Sequence, residues 1–428
     1  MRGKKLLAIC VLSLVALIAV SLVTACPAPE EEAPPEAPPE APPEAPPEAP
    51  PEKTEILIGA FNSMTGMEAM VGTEHRWAYQ QAVYDVNAAG GVYIEELGKN
   101  LPMRLIVVDD KSSIPDAASA AEKLIKLDKV DFLLGTVTSE LNIAGGSVAE
   151  KYKKLMVTTT HWCEHHMMQE WNWVATSFFS GAGVAVSAAW CLDTMPEAER
   201  PEKICYMAMD NPDGHAFGEG GLALTPAYGY EVMAEYYTVG QKDYSATILR
   251  FKGEGVDAMV WIGNSPDAVT LLRQMRENNY NLKYCHGMKG FWPIEFYAAL
   301  GADADYLVSD AHWSEALGYG RSAELAERFR TEFGKTSVTI GNFYSLVEAL
   351  AQAIEQAGSL DSAKVRDVFY SGTFVAKNTT NGDLAFDETG LSEIPPVALQ
   401  WMGGERMPVW PPAPDIWTLK WIPPWDER

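Results

Sequence analysis

Two short, continuously apolar runs separated by one helix-length segment constrain this chain more than any other feature. Asp131-Phe132-Leu133-Leu134-Gly135 reads as a buried strand stopped by glycine, and Leu155 to Thr159 reads as a second. Between them lie the hydroxyl-rich turn Thr136-Val137-Thr138-Ser139 and a helical segment from about Leu141 to Lys153. Strands that are apolar on both faces and joined by a crossover helix belong to a parallel sheet covered on both sides. In such sheets the loops leaving the carboxyl ends of the strands line the ligand crevice. The second strand runs straight into His161-Trp162-Cys163-Glu164-His165-His166. Two successive loops therefore bring hydroxyls, backbone N–H groups, imidazoles and an indole to one wall. The fold class is α/β.

The N-terminal end has a different character. Met1 to Lys5 is basic, Leu6 to Val23 is apolar apart from small residues, and Leu22-Val23-Thr24-Ala25-Cys26 follows. Small residues before a cysteine mark a cleavage site rather than a retained span. The motif resembles the bacterial lipobox, which implies a leader over 1–25 and lipidation of Cys26 as the mature N-terminus. From Pro34 the chain repeats Pro-Pro-Glu-Ala four times and ends Pro-Pro-Glu. Proline favours extended polyproline II and the glutamates repel one another, so 26–53 is a stiff spacer reaching about 80 Å at ~3.1 Å per residue. A tethered body on the outer face of the cell membrane, or in the periplasm, is expected.

The remaining residues from Thr54 onward suffice for two domains. Acidic residues outnumber basic ones 58 to 33, a net charge of −25. Such a surface repels phosphate backbones, so nucleic acid is excluded as a partner. Of the cysteines, Cys163, Cys191, Cys205 and Cys285 belong to the body; no CxxC spacing occurs, and a Cys191–Cys205 disulfide is one possibility for an exported chain.

Along the body, Glu55 to Phe61 reads as strand one, opening into the loop Asn62-Ser63-Met64-Thr65-Gly66, followed by a helix from about Gly72 to Ala88. Arg104 to Val108 is strand two, and the runs around 132 and 157 are the third and fourth. After a crossing segment over Trp171 to Phe179 a second alternating series begins. Its strands are Lys203 to Met209, Glu231 to Val239, Ala258 to Gly263, Tyr284 to Gly287 and Tyr306 to Ser309. Asp210 to Gly218 reads as a strand-end loop, and Asn264-Ser265-Pro266 as a turn into a helix from Asp267. Ile340 to Ala357 is a long amphipathic helix, and short strands follow Gly382. Trp410, Trp417, Trp421 and Trp425 lie among prolines and are expected to pack over the body. Two successive strand–helix series describe two doubly wound lobes.

An ordered set of motifs adds to this reading. Ile56-Leu57-Ile58-Gly59 with Thr65-Gly66, Asp85 to Gly91, Val108-Asp109-Asp110 with Pro115, and Gly135 through Ser139 occur in that order. Asp243-Tyr244-Ser245, Leu272-Arg273-Gln274 and Gly382 to Asp387 complete the set. With them the chain resembles the type I periplasmic solute-binding proteins of the branched-chain amino-acid (Leu/Ile/Val) class, which deliver ligands to ABC transporters. The resemblance implies two α/β lobes closing on a ligand cleft, with lobe one over 54–175 and 316–371 and lobe two over 176–315 and 372–428. It implies a small-molecule ligand, a membrane permease as partner, no cofactor and no catalysis. By the same resemblance, Ser139 and Thr138 meet the ligand carboxylate, His161 and Trp162 face the ligand, and Phe217 covers it. Asn264 and Ser265 lie at a second-lobe strand end, and Met64 and Trp313 join the candidate ligand contacts. Lys289 falls where relatives carry the acid that holds a ligand ammonium. A lysine there removes the partner of a buried ammonium. The expected ligand is therefore a small organic acid, or an amino-acid-like molecule, gripped by Ser139, Thr138 and Lys289, with Trp162, Phe217, Trp292 and Trp313 as apolar walls.

Other readings stay open at this point. Six of the seven histidines follow expected strands, and His161, Cys163, His165 and His166 are the candidates for a metal site, although their spacing matches no zinc signature. A ligand-sensing receptor subunit would use the same fold. No nucleophile elbow, phosphate loop or dinucleotide fingerprint is present, so binding without turnover is the primary reading.

Overall fold

In a computed structural model, residues 53–411 and 416–428 are described; the expected leader, Cys26 and nearly all of the Pro/Glu spacer lie outside them. The body is one unit over Lys53–Arg428. Its chain first lays down β1 (Ile56–Asn62), a hairpin of β2 (Val92–Ile94) and β3 (Lys99–Leu101), β4 (Met103–Asp109), β5 (Phe132–Leu134), β6 (Met156–Thr158) and β7 (Val174–Phe178). It crosses at 179–180 into β8 (Lys203–Met209), β9 (Glu231–Tyr237), β10 (Ala258–Gly263), β11 (Tyr284–Lys289) and β12 (Val308–Ala311). The chain then crosses back into the helices Ser322–Phe333, Ile340–Ala357 and Ser362–Phe369, the hairpin β13 (Val375–Thr379) and β14 (Gly382–Ala385), and β15 (Leu391–Glu393). A third crossing leads to β16 (Val397–Met402) and β17 (Glu405–Trp410).

Two main sheets result, in the orders β15-β7-β6-β5-β1-β4 and β17-β16-β12-β11-β10-β8-β9. All pairings in the first are parallel; in the second only the two pairings of β16, with β12 and with β17, are antiparallel. Apolar runs such as Ala258–Gly263, buried at every position, suit a central parallel strand. In each sheet the chain order reverses beside its first strand, between β1 and β5 in one and between β8 and β10 in the other. Ligands of open α/β sheets lie at the carboxyl ends of strands beside such a reversal.

The architecture agrees with the expected α/β class and the two strand–helix series. The tail tryptophans 410, 417, 421 and 425 pack against the second core, as expected. Three expectations need correction. Residues 372–393 do not join the second lobe: β15 pairs with β7, and Phe374, Ala376, Leu384 and Phe386 enter the first core. Thr176 to Phe178 likewise complete β7 of the first sheet. The expected loop at 210–218 is largely helix, because Asn211 accepts the Gly214 N–H at 2.9 Å and Pro212 opens the first turn of Pro212–Leu224. Cys163, Cys191, Cys205 and Cys285 are all buried free thiols, so no Cys191–Cys205 disulfide forms. Among the described residues no helix is long and apolar enough to cross a membrane.

The returning segment gives a direct test of this assignment. The Phe386 ring packs edge-on to Phe369 at 4.8 Å and stacks with Phe374 at 5.7 Å. Phe386→Ala leaves a cavity in the first core and is expected to cost about 3–5 kcal/mol in urea unfolding.

Candidate functional site

The strand ends of the two sheets face one another across a cleft. Its outer part, of about 450 Å³, is lined by Met67, Glu68, Thr138, Glu140, Asn264 and Lys289, among others. Deeper lies a chamber of about 30 Å³ walled by Val137, Thr138, Thr160, Trp162, Phe178, Asp213, Ile262, Met288, Lys289 and Trp292. That volume holds water-sized groups only, so an organic solute enters by parting the lobes.

On the first lobe, the turn after β5 is held by one side chain. Asn142 accepts the Thr136 N–H at 3.0 Å and the Thr158 hydroxyl at 2.8 Å, and donates to the Thr136 and Thr159 carbonyls at 2.9 Å. Gly135 is required beneath it, since a Cβ there would lie 2.0 Å from Thr158 Oγ1. The chain emerges into Thr138 at φ +71°, ψ +145°, a backbone region that only glycine visits readily. This strained residue lines both parts of the cleft. Ser139 opens the helix Ser139–Tyr152; its hydroxyl accepts the Trp162 N–H at 3.2 Å and so ties the two loops together. Trp162 then presents its indole to the inner chamber.

On the second lobe, Lys289 ends β11 and lines both parts of the cleft. Its Nζ lies 2.7 Å from Glu68 Oε1 of the first lobe. Burial, the largest influence, pulls the lysine pKa down, but Glu68, Asp213 and Glu140 outweigh it and the ammonium is stabilised. Asp213, in the first turn of Pro212–Leu224, is 5% exposed. Burial raises its pKa against the opposing pull of Lys289, Ser139 and His165. Its Oδ1 is buried with no hydrogen-bond partner; His165 Nδ1 stands 4.0 Å away. Glu140 is raised likewise, by burial and then by Asp213. The cleft thus contains one ammonium and three carboxylates. Opposite, the Trp292 indole N–H donates to the Asp310 carbonyl, and Asp310 is itself held by Ser187 at 2.8 Å and His286 at 2.9 Å, deep in the second core.

The candidate residues separate into two groups. Thr138, Trp162, Asn264 and Lys289 line the cleft, and Ser139 stands directly behind it. Asn264 caps its helix through the Asp267 N–H while its amide meets Met67 Sδ at 3.4 Å. The others lie elsewhere. His161 is fully buried behind the loop, stacked on Trp171 at 4.9 Å, because successive residues after β6 point to opposite sides. Phe217 is core, packed on Trp162 and Tyr206. Ser265 donates to the Gly290 carbonyl at 2.8 Å, and Trp313 donates to the Thr380 carbonyl at 2.9 Å. Met64 is anchored by its N–H to Asp109, and Met67 takes the cleft position instead.

The histidine cluster makes no metal centre among the described residues. Burial keeps His161 neutral, His166 is tied to the Thr389 carbonyl at 2.9 Å, and Cys163 donates to the Phe178 carbonyl with its thiol pKa pushed far up by burial. Sequence reasoning overlooked Glu68, Glu140 and Asp213. Each carries a readable signal, an acidic residue in the first turn of a helix or in the loop just before one, at the end of a sheet strand.

Residues 55–392 match the family model described as periplasmic binding protein. A Leu/Ile/Val-binding protein homolog 1 of Brucella abortus (strain 2308) is 28% identical over 348 residues, 80% of this chain and 88% of that protein. Among solved structures, a leucine-binding protein LivK of Thermotoga maritima MSB8 superposes with a TM-score of 0.71 at 22% identity, covering 82% of this chain and 97% of that one. An ABC-transporter solute-binding protein of Rhodopseudomonas palustris BisB5, in complex with 3,4-dihydroxybenzoic acid, gives 0.66 at 17% identity, covering 82% and 95%. At these identities the structural likenesses speak for the fold alone.

Asn142 is the testable support of the first-lobe wall. Asn142→Ala strands buried backbone groups of Thr136 and Thr159, and is expected to lower stability by about 3 kcal/mol in chemical unfolding.

Proposed function

The chain belongs to the periplasmic binding protein family, and we propose that it captures a small amino-acid-like solute, bearing both a carboxylate and a protonated amine, for an ABC permease. One observation carries the reading: a buried ammonium, Lys289, and a buried carboxylate oxygen of Asp213 without a partner line the same inner chamber. A zwitterion satisfies both. Its carboxylate pairs with Lys289 and with donors of the Thr138–Ser139 turn, and its amine fills the open position at Asp213. A solute with a carboxylate alone would add a fourth negative charge to a cleft that already holds three, which is costly away from water. The organic-acid expectation rested on the loss of a carboxylate at position 289; Asp213 restores one from a neighbouring element.

The mechanism follows from where these groups sit. Thr138, Ser139 and Trp162 belong to one lobe, and Asp213, Lys289 and Trp292 to the other, so only the closed arrangement presents all of them to one solute. A solute that bridges both walls shifts the population toward closure, by as much as it binds the closed form better than the open one. Nothing in this sequence of events requires turnover. An aromatic organic acid is the second reading, favoured by the Trp162 and Trp292 indoles in the chamber and by the benzoic-acid complex of the Rhodopseudomonas relative. Tethering through lipidated Cys26 and the Pro/Glu spacer would hold the protein beside its permease.

Calorimetric titration with leucine and with 3,4-dihydroxybenzoate separates the two readings. Leucine binding, weakened about 100-fold or more by Asp213→Asn, is expected; binding of the aromatic acid only would contradict the zwitterion. Asp213 must be ionised to hold an amine, and burial raises its pKa. Affinity is therefore expected to fall on acidification, beginning above the ordinary carboxylate range, and to lose that dependence in Asp213→Asn. For the tether, Cys26→Ser is expected to move the protein from the membrane fraction to the soluble one.

A further inference from the structure

The loop between β1 and the helix Ala69–Ala88 forms a rigid strap at the cleft mouth. Asp109 accepts the N–H groups of Met64 at 3.0 Å and Thr65 at 3.2 Å, and the Thr65 hydroxyl at 2.7 Å. The Glu68 N–H donates to Ser112 Oγ at 3.1 Å, and that hydroxyl donates to the Thr65 carbonyl at 2.8 Å. Gly66 turns at φ +87°, where a Cβ would come within 2.5 Å of the Lys111 carbonyl oxygen. From this platform the strap touches the second lobe twice, through Met67 Sδ on Asn264 and through Glu68 on Lys289. The Glu68 and Lys289 side chains are only 12% and 11% exposed, so salt screens their 2.7 Å pair weakly.

A carboxylate on the lone ammonium of the cleft stands where an incoming carboxylate must go. We propose that Glu68 is an intramolecular competitor and latch: it clasps Lys289 across the closed lobes, and a solute is retained only when its own carboxylate displaces Glu68. This rests on the reading of the cleft as a site for amino-acid-like solutes. The exchange replaces one ion pair at Lys289 by another, so the buried ammonium is never left alone, and the freed Glu68 faces the larger outer cleft that it already lines. A solute without a carboxylate leaves the latch in place and gains nothing from Lys289. Glu68 thereby discriminates by charge, a repulsive and competing element rather than an added attraction.

Two variants and two readouts on the full chain test this. Glu68→Gln removes the charge and keeps the shape; Glu68→Asp keeps the charge but falls short by one methylene. Small-angle scattering without added solute reads the latch, and leucine titration reads the competition. The expected result is a larger radius of gyration for Glu68→Gln, a leucine Kd about tenfold lower because the lysine no longer has to be released first, and intermediate values for Glu68→Asp. An unchanged radius overturns the latch whatever the affinity does, and a Kd that is unchanged or higher overturns the competition. If neither the parent protein nor the variants bind leucine, the zwitterion reading fails on its own, and the radius alone then upholds or overturns the latch.

Discussion

A single buried ammonium, held by carboxylates from both halves of the molecule, is the interaction around which the cleft is arranged. Lys289 reaches inward from the end of β11 and meets Glu68 from the opposite lobe, with Asp213 and Glu140 close enough to raise its pKa against the effect of burial. An isolated charge in such a place would cost several kcal/mol, so the strand-end loops that carry its partners are committed to their positions. That commitment explains why a protein with a large acidic excess keeps one lysine where its two sheets converge.

The cleft wall is positioned by groups that stand behind its lining. Asn142 ties Thr136, Thr158 and Thr159 into one unit, beside Thr138 in a backbone conformation disfavoured for a β-branched residue. On the other side, Trp292 is fixed through Asp310, which is gripped by Ser187 and by the fully buried His286. His286 also meets the Tyr284 hydroxyl through Nδ1 at 2.6 Å, which extends these contacts into the second core. Another strand-end histidine is likewise framework: His312 packs edge-on to Phe178 and Trp292, and burial pulls its pKa down to about 3.

Much of the fold was legible because the central strands are long, apolar and buried on both faces. Lys203–Met209 and Ala258–Gly263 appear with the boundaries read from the sequence, as does the helix Ile340–Ala357. Short elements with half-exposed residues, such as the hairpin Val92–Leu101, offer no period to read. The return of residues 372–393 to the first lobe depends on long-range pairing of β15 with β7, which no local pattern encodes. At the site, the strand-end rule located Thr138, Trp162, Asn264 and Lys289. It failed for His161, where a shift of one residue turns a side chain from the cleft to the rear, and for Phe217, whose loop is a helix that faces Asp213 to the chamber and the ring to the core.

The most direct measurement is a crystal structure of the protein soaked or co-crystallised with leucine. The account predicts the solute between the lobes, its carboxylate within about 3 Å of Lys289 Nζ and its amine on Asp213, with contacts to Thr138 or Ser139 from the other side. A solute bound to one lobe only, or seated in the cleft with Lys289 still on Glu68 and its carboxylate turned away, would contradict it.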